Sequence, residues 1–178
     1  MNAMRPILTV RVAVPSRASR EAVYELLAEL DTHLVWAGTR APRSDFRLLS
    51  IEAPQRRAVV GDRFSSDGAS ANGTFHDRSL VVEAEPGARF GFDTESTLER
   101  RHGPTWHARV THRYTVAETD DGVTIVYTNE LWPENYVPYW LKPGVRRMAR
   151  ILARRFTRAN LENLARMAET VRSERPAG

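Results

Sequence analysis

The chain contains no cysteine. That absence removes disulfides, thiolate metal sites and a thiol nucleophile together, which ends zinc-finger and thiol-protease readings and makes the reducing cytoplasm the expected setting. Lysine is nearly missing as well. Lys142 is the single lysine among 26 basic residues, a usage that reflects arginine-rich coding rather than selected chemistry. No apolar run reaches the length of a membrane span, and Arg5, Pro6 and Arg11 break the stretch from Met1 to Val14, so a secretion signal is not expected. No Gly-x-Ser-x-Gly elbow occurs, no dinucleotide glycine fingerprint, and no Lys-Ser/Thr behind Gly68 and Gly73. Triad hydrolysis and nucleotide cofactors are without support.

What is present fits one globular domain over residues 1–178, with 42% hydrophobic and 27% charged residues. The net charge of +4 is unevenly spread: residues 142–178 hold ten Arg or Lys against three Glu, leaving +7 there and −3 in the rest. Val10, Val12 and Val14 alternate with Arg11 and Ala13, which predicts a strand over 7–14. Pro15-Ser16 stops it. Ser16 or Ser19 can cap a helix carrying Val23, Leu26, Leu27 and Leu30, and a short second helix is expected from Thr32 to Trp36.

From Asp45 to Trp132 the helical period disappears. Strands are predicted near 45–53, 59–67, 74–85, 88–97, 105–117 and 123–132, separated by Asp67-Gly68, Asn72-Gly73, Pro86-Gly87 and Asp121-Gly122 turns. Asn72-Gly73-Thr74 also fits a glycosylation acceptor, but the turn reading needs no secretory route. Tight turns between successive strands imply an antiparallel sheet. Residues 133–143 form an aromatic, proline-rich connector. Residues 144–172 then read as a long helix with Val145, Met148, Leu152, Phe156, Ala159, Asn163 and Met167 on one face and Arg146, Arg147, Arg150, Arg154 and Arg158 opposite.

The order of these elements resembles the START-like, or SRPBCC, superfamily with its helix-grip fold, in the branch similar to polyketide cyclase/dehydrase proteins. The resemblance is carried by the opening strand into Pro15-Ser16, by Asp31 to Trp36, by Val60-Gly61-Asp62-Arg63-Phe64 and by Val82 to Phe90 before a Phe-rich strand. The Trp106–Tyr114 strand, Gly122-Val123-Thr124-Ile125 and Asn160-Leu161-Glu162-Asn163-Leu164 complete it, so that it spans about residues 7–172. It implies an α+β fold in which a seven-stranded curved antiparallel sheet wraps a long C-terminal helix, with two short helices after strand one. It also implies a cavity between sheet and helix that holds an apolar or aromatic small molecule.

Alternation on three strands and the apolar face of the last helix predict a cavity lined by Phe92, Trp106, Val110, Tyr114, Ile125, Tyr127, Leu152 and Phe156. His112, Tyr114, Tyr127, Asn129 and Asn163 are the polar groups expected to touch a ligand, since a buried polar group needs a partner. His112 is the candidate acid/base, with Tyr114 or Tyr127 as donors to a carbonyl. No metal or cofactor is expected. His107 and His112 fall on opposite faces of one strand, and His33, His76 and His102 are isolated. The expected partner is a polyketide- or lipid-like small molecule, bound by a monomer or homodimer. The alternatives are an aromatase/cyclase using the same cavity and an interaction protein acting through the basic helix or the aromatic segment. The outward arginines lack an interleaved aromatic platform, which argues against specific nucleic-acid recognition.

Overall fold

A computed structural model of the chain describes residues 5–37 and 47–174. Seven strands form one antiparallel sheet in the order β1-β7-β6-β5-β4-β3-β2. β1 (Leu8–Ser16) is followed by α1 (Arg20–Ala28), a 3-10 turn at Leu30–Thr32 and α2 (His33–Trp36). Then come β2 (Arg47–Glu52), β3 (Arg63–Ser70), β4 (Gly73–Glu85), β5 (Arg89–Arg100), β6 (Trp106–Thr119) and β7 (Gly122–Pro133). A 3-10 turn at Tyr139–Leu141 leads into α3 (Pro143–Glu174). This is the α+β architecture that the sequence pattern predicts.

Ser19 caps α1, its hydroxyl accepting from the Ala22 amide at 3.2 Å. Ser16 instead ends β1 and ties it to the last helix, donating to Glu169 at 3.0 Å while Glu169 also accepts from the Arg17 amide at 2.8 Å.

Most strands shift by one to three residues from the sequence reading, and β3 shifts at both ends. β3 starts at Arg63 rather than near 59, because Asp62 folds residues 59–62 into a turn: its carboxylate accepts from the Val59 amide at 2.8 Å and from both Arg56 guanidinium nitrogens. Asp67-Gly68 is strand, not turn. Gly68 lies under the Phe75 ring of β4, so close that a Cβ built there would stand 1.8 Å from the ring. Glycine serves close approach here rather than chain reversal. The start predicted at residue 45 lies outside the described residues.

The largest departure is in α3. The predicted stripe would bury Met148 and Leu152, yet they are 59% and 57% exposed. The residues that bury are Leu161, Leu164, Ala165 and Ala168, in the C-terminal half, while Ala149 and Ala153 face the core from the N-terminal half. α3 lies along β1 and against α1 and α2, so its contact face rotates along its length as it follows the twisted edge of the sheet. The helix grips the β1 end instead of covering the whole apolar face.

Candidate functional site

Alternation fixes which side chains share the inner face. On β5 they are Phe90, Phe92, Thr94, Ser96 and Leu98; on β6, Trp106, Ala108, Val110, His112, Tyr114 and Val116; on β7, Val123, Ile125, Tyr127, Asn129 and Leu131. The register lines them up across the sheet. One rung reads Val10, Asn129, His112, Phe92 and Val81; the next reads Val12, Tyr127, Tyr114 and Phe90.

The centre of this face is a hydrogen-bonded aromatic cluster. His112 Nδ1 meets the Tyr127 hydroxyl at 2.7 Å, and its ring stacks on Phe92 with centroids 4.4 Å apart and planes 15° from parallel. Tyr114 lies 4.6 Å from Tyr127, centroid to centroid, and Asn129 donates from Nδ2 to the Thr111 carbonyl at 3.2 Å. α2 closes one side: Trp36 packs edge-on to Tyr114, and His33, donating from Nε2 to the Leu27 carbonyl at 2.9 Å, sits between Trp36 and Phe92.

Burial sets the electrostatics. Desolvation pushes His112 down to about 3, with Arg113 and His33 acting in the same direction, and pushes His33 down to about 4. Both imidazoles are therefore neutral near pH 7. Burial raises Tyr114, and Tyr127 is pushed above the ordinary phenol range, so both phenols keep their protons. Burial thus makes His112 a neutral hydrogen-bonding group at pH 7.

Of the predicted ligand contacts, Phe92, His112, Tyr114, Tyr127 and Asn129 form this cluster. Val110 is one rung away and half-buried, Trp106 lies two rungs further along β6 and is buried, and Ile125 is fully buried beside Val14 and Val116. The other three predicted contacts lie on α3. Leu152 is exposed, Phe156 is half-buried, and the Asn163 side-chain oxygen accepts from Arg166 on the same helix, so it is not the unpartnered amide expected. The α3 carboxamide whose oxygen is buried without a partner is Asn160.

A second inward polar group was missed altogether. Asp77 stands between Ser66 of β3 and Ser96 of β5, beside a rung in which Ser79 and Thr94 share a hydrogen bond of 2.8 Å. Its Oδ1 is buried with no hydrogen-bond partner, and burial lifts its pKa to about 6, partly offset by a bond from Ser96. The signal was alternation with Phe75 and Ser79. Two open depressions lie elsewhere, one of ≈ 520 Å³ around Val82–Glu85 and Arg113, the other around Ser70, Gly73 and Arg100; neither touches the aromatic cluster. Among the described residues no three His, Asp or Glu side chains converge as a metal would require.

No family model and no curated protein matches the chain. Solved structures do. A conserved protein of Geobacillus kaustophilus matches with a TM-score of 0.67 at 11% identity, over 92% of this chain and 96% of its own. An uncharacterised protein of Rhizobium leguminosarum matches with a TM-score of 0.64 at 15% identity, over 92% and 95%. DynU16, from the dynemicin biosynthetic locus, matches with a TM-score of 0.54 at 18% identity; 91% of this chain covers 47% of it. The likeness is one of fold. At these identities it places the seven-stranded sheet and closing helix among known architectures and assigns no activity.

Proposed function

We propose that the protein binds an apolar or aromatic small molecule, polyketide- or lipid-like, against the inner face of β5–β7 beside the N-terminal half of α3. One observation carries this reading. His112, Val110 and Asn129 lie on central strands, facing inward, yet each keeps accessible surface, while His112 is desolvated strongly enough to hold its pKa near 3. A group that is both enclosed and accessible lines a crevice. Phe92 and Tyr114 supply flat apolar surface there, and the hydrogen-bonded Tyr127–His112 pair with the Tyr114 hydroxyl beside it supplies the few orienting polar groups that such a site uses. DynU16, which shares the fold, comes from a biosynthetic locus, and a small organic ligand is consistent with that company.

A cyclase is the second reading, and the adjacent phenols Tyr114 and Tyr127 are what favour it. A neutral Tyr114 can donate to a substrate carbonyl beside Tyr127, which its hydrogen bond to His112 holds in place. Native mass spectrometry of protein purified from its own host tests both readings. The expected result is an added mass of a small molecule that is lost on denaturation; protein that stays bare from its host and fails to take up polyketide or fatty-acyl compounds would end them. Substituting His112→Gln then separates the two. A carrier loses retention of the molecule, whereas a cyclase keeps it and loses turnover.

A further inference from the structure

We propose that the N-terminal half of α3, with the Tyr139 turn before it, docks on an anionic lipid bilayer. Four large apolar side chains stand out of the fold there: Tyr139 is 73% exposed, Met148 59%, Leu152 57% and Ile151 41%. Met148, Ile151 and Leu152 are three and four residues apart, so they form one strip on the helix surface. Arg147, Arg154 and Arg155, three or four residues from Ile151, and Arg158, two turns on, are exposed alongside it. Between residues 135 and 161 the chain carries seven Lys or Arg and no Asp or Glu. The helix is fixed to the fold by Leu161 and Leu164 beyond this strip, and by the small Ala149 and Ala153 behind it, so the strip does not serve the core.

The pairing of charge with apolar surface selects the partner. A second copy docked across a two-fold axis would bring this cationic segment against itself, which charge repulsion opposes. Duplex nucleic acid satisfies the arginines but leaves Met148, Ile151 and Leu152 facing phosphate and water. A bilayer with anionic headgroups meets both demands: guanidinium groups reach the phosphates while the apolar strip enters the boundary between headgroups and acyl chains. The proposal stands independently of the small-molecule reading.

Vesicle sedimentation tests it, with phosphatidylcholine alone against a roughly 7:3 mixture with phosphatidylglycerol. The protein should bind the anionic vesicles, leave the neutral ones unbound, and lose about tenfold or more in affinity when NaCl rises from about 0.1 to 0.5 M. The double change Ile151→Asp and Leu152→Asp should cost about tenfold or more with the thermal midpoint unchanged, because both residues are exposed. Charge reversal at Arg147, Arg155 and Arg158 should do the same. Failure of the parent protein to bind anionic vesicles would overturn the proposal. So would undiminished binding by the Asp double variant, equal affinity for duplex DNA, or a solution dimer that the Asp variant dissociates.

Discussion

At Asp77 a carboxyl group stands where the inner face offers it only serine hydroxyls, and this makes its ionisation a cost to the fold. Its folded pKa is raised to about 6 from an ordinary 3.8, so its contribution to stability is fully present below pH 3.8 and is lost as pH rises through 6. Asp77→Asn keeps the shape and removes the charge. The variant should be more stable than the parent at pH 8, by up to about 3 kcal/mol from the size of the shift, and no more stable near pH 3.5. Urea midpoints at the two pH values check this; equal midpoints at pH 8 would show that the carboxylate finds compensation. The inward position of Asp77 was legible, since it shares the phase of Phe75 and Ser79. The residue type points the other way, because carboxylates on half-buried strands ordinarily face water, as Asp93 and Glu95 do in varying degree. The His112–Tyr127 contact was legible for a firmer reason. The Asp121-Gly122 hairpin fixes the register of β6 on β7, and that register sets His112 opposite Asn129 and diagonal to Tyr127.

Among the elements, the strands followed from alternation and turn chemistry, whereas α3 shows how a helical period can mark the wrong face. Its sequence holds two apolar arcs, one through Met148 and Leu152 and one through Leu161 and Leu164. Only the second is buried. Hydrophobicity alone cannot tell which arc meets the protein when a helix crosses a twisted sheet edge, because the contact face is set by β1 and α1. Truncation distinguishes the arcs energetically. Leu164→Ala removes a fully buried side chain and should cost about 2–5 kcal/mol, whereas Leu152→Ala should change stability by no more than about 0.5 kcal/mol. Comparable losses at the two sites in thermal or urea unfolding would mean that Leu152 is covered in solution. The same misplacement explains the α3 site residues. Asn163 belongs to the first arc, but the rotation turns Asn160 inward and leaves Asn163 to Arg166.

For the molecule as a whole, three buried titratable groups on or beside the inner face give folding a definite acid response. His33 and His112 are held neutral, at about 4 and about 3 against an unfolded value of 6.5, so their stability is complete above pH 6.5 and falls as acid is added. Between pH 6.5 and 4 the unfolded chain takes up protons on both that the folded chain refuses. Two such protons correspond to a loss approaching about 2.7 kcal/mol per pH unit. Asp77 acts in the opposite sense: below pH 6 the folded chain holds a proton that the unfolded chain releases down to 3.8, which offsets about 1.4 kcal/mol per unit. The net expectation is a loss of about 1.4 kcal/mol per unit between pH 6 and 4. Glu21, Asp62 and Asp67, lowered by their partners at the surface, add to acid lability only below the ordinary carboxylate range. Urea unfolding at pH 7, 6, 5 and 4 reads the slope directly. Asp77→Asn should steepen it toward two protons, and His112→Gln should flatten it by one. A parent slope of zero over this interval, or one unchanged in both variants, would show that the inner face is solvated enough for these groups to titrate as they do in the unfolded chain, and would remove the enclosed crevice on which small-molecule binding depends.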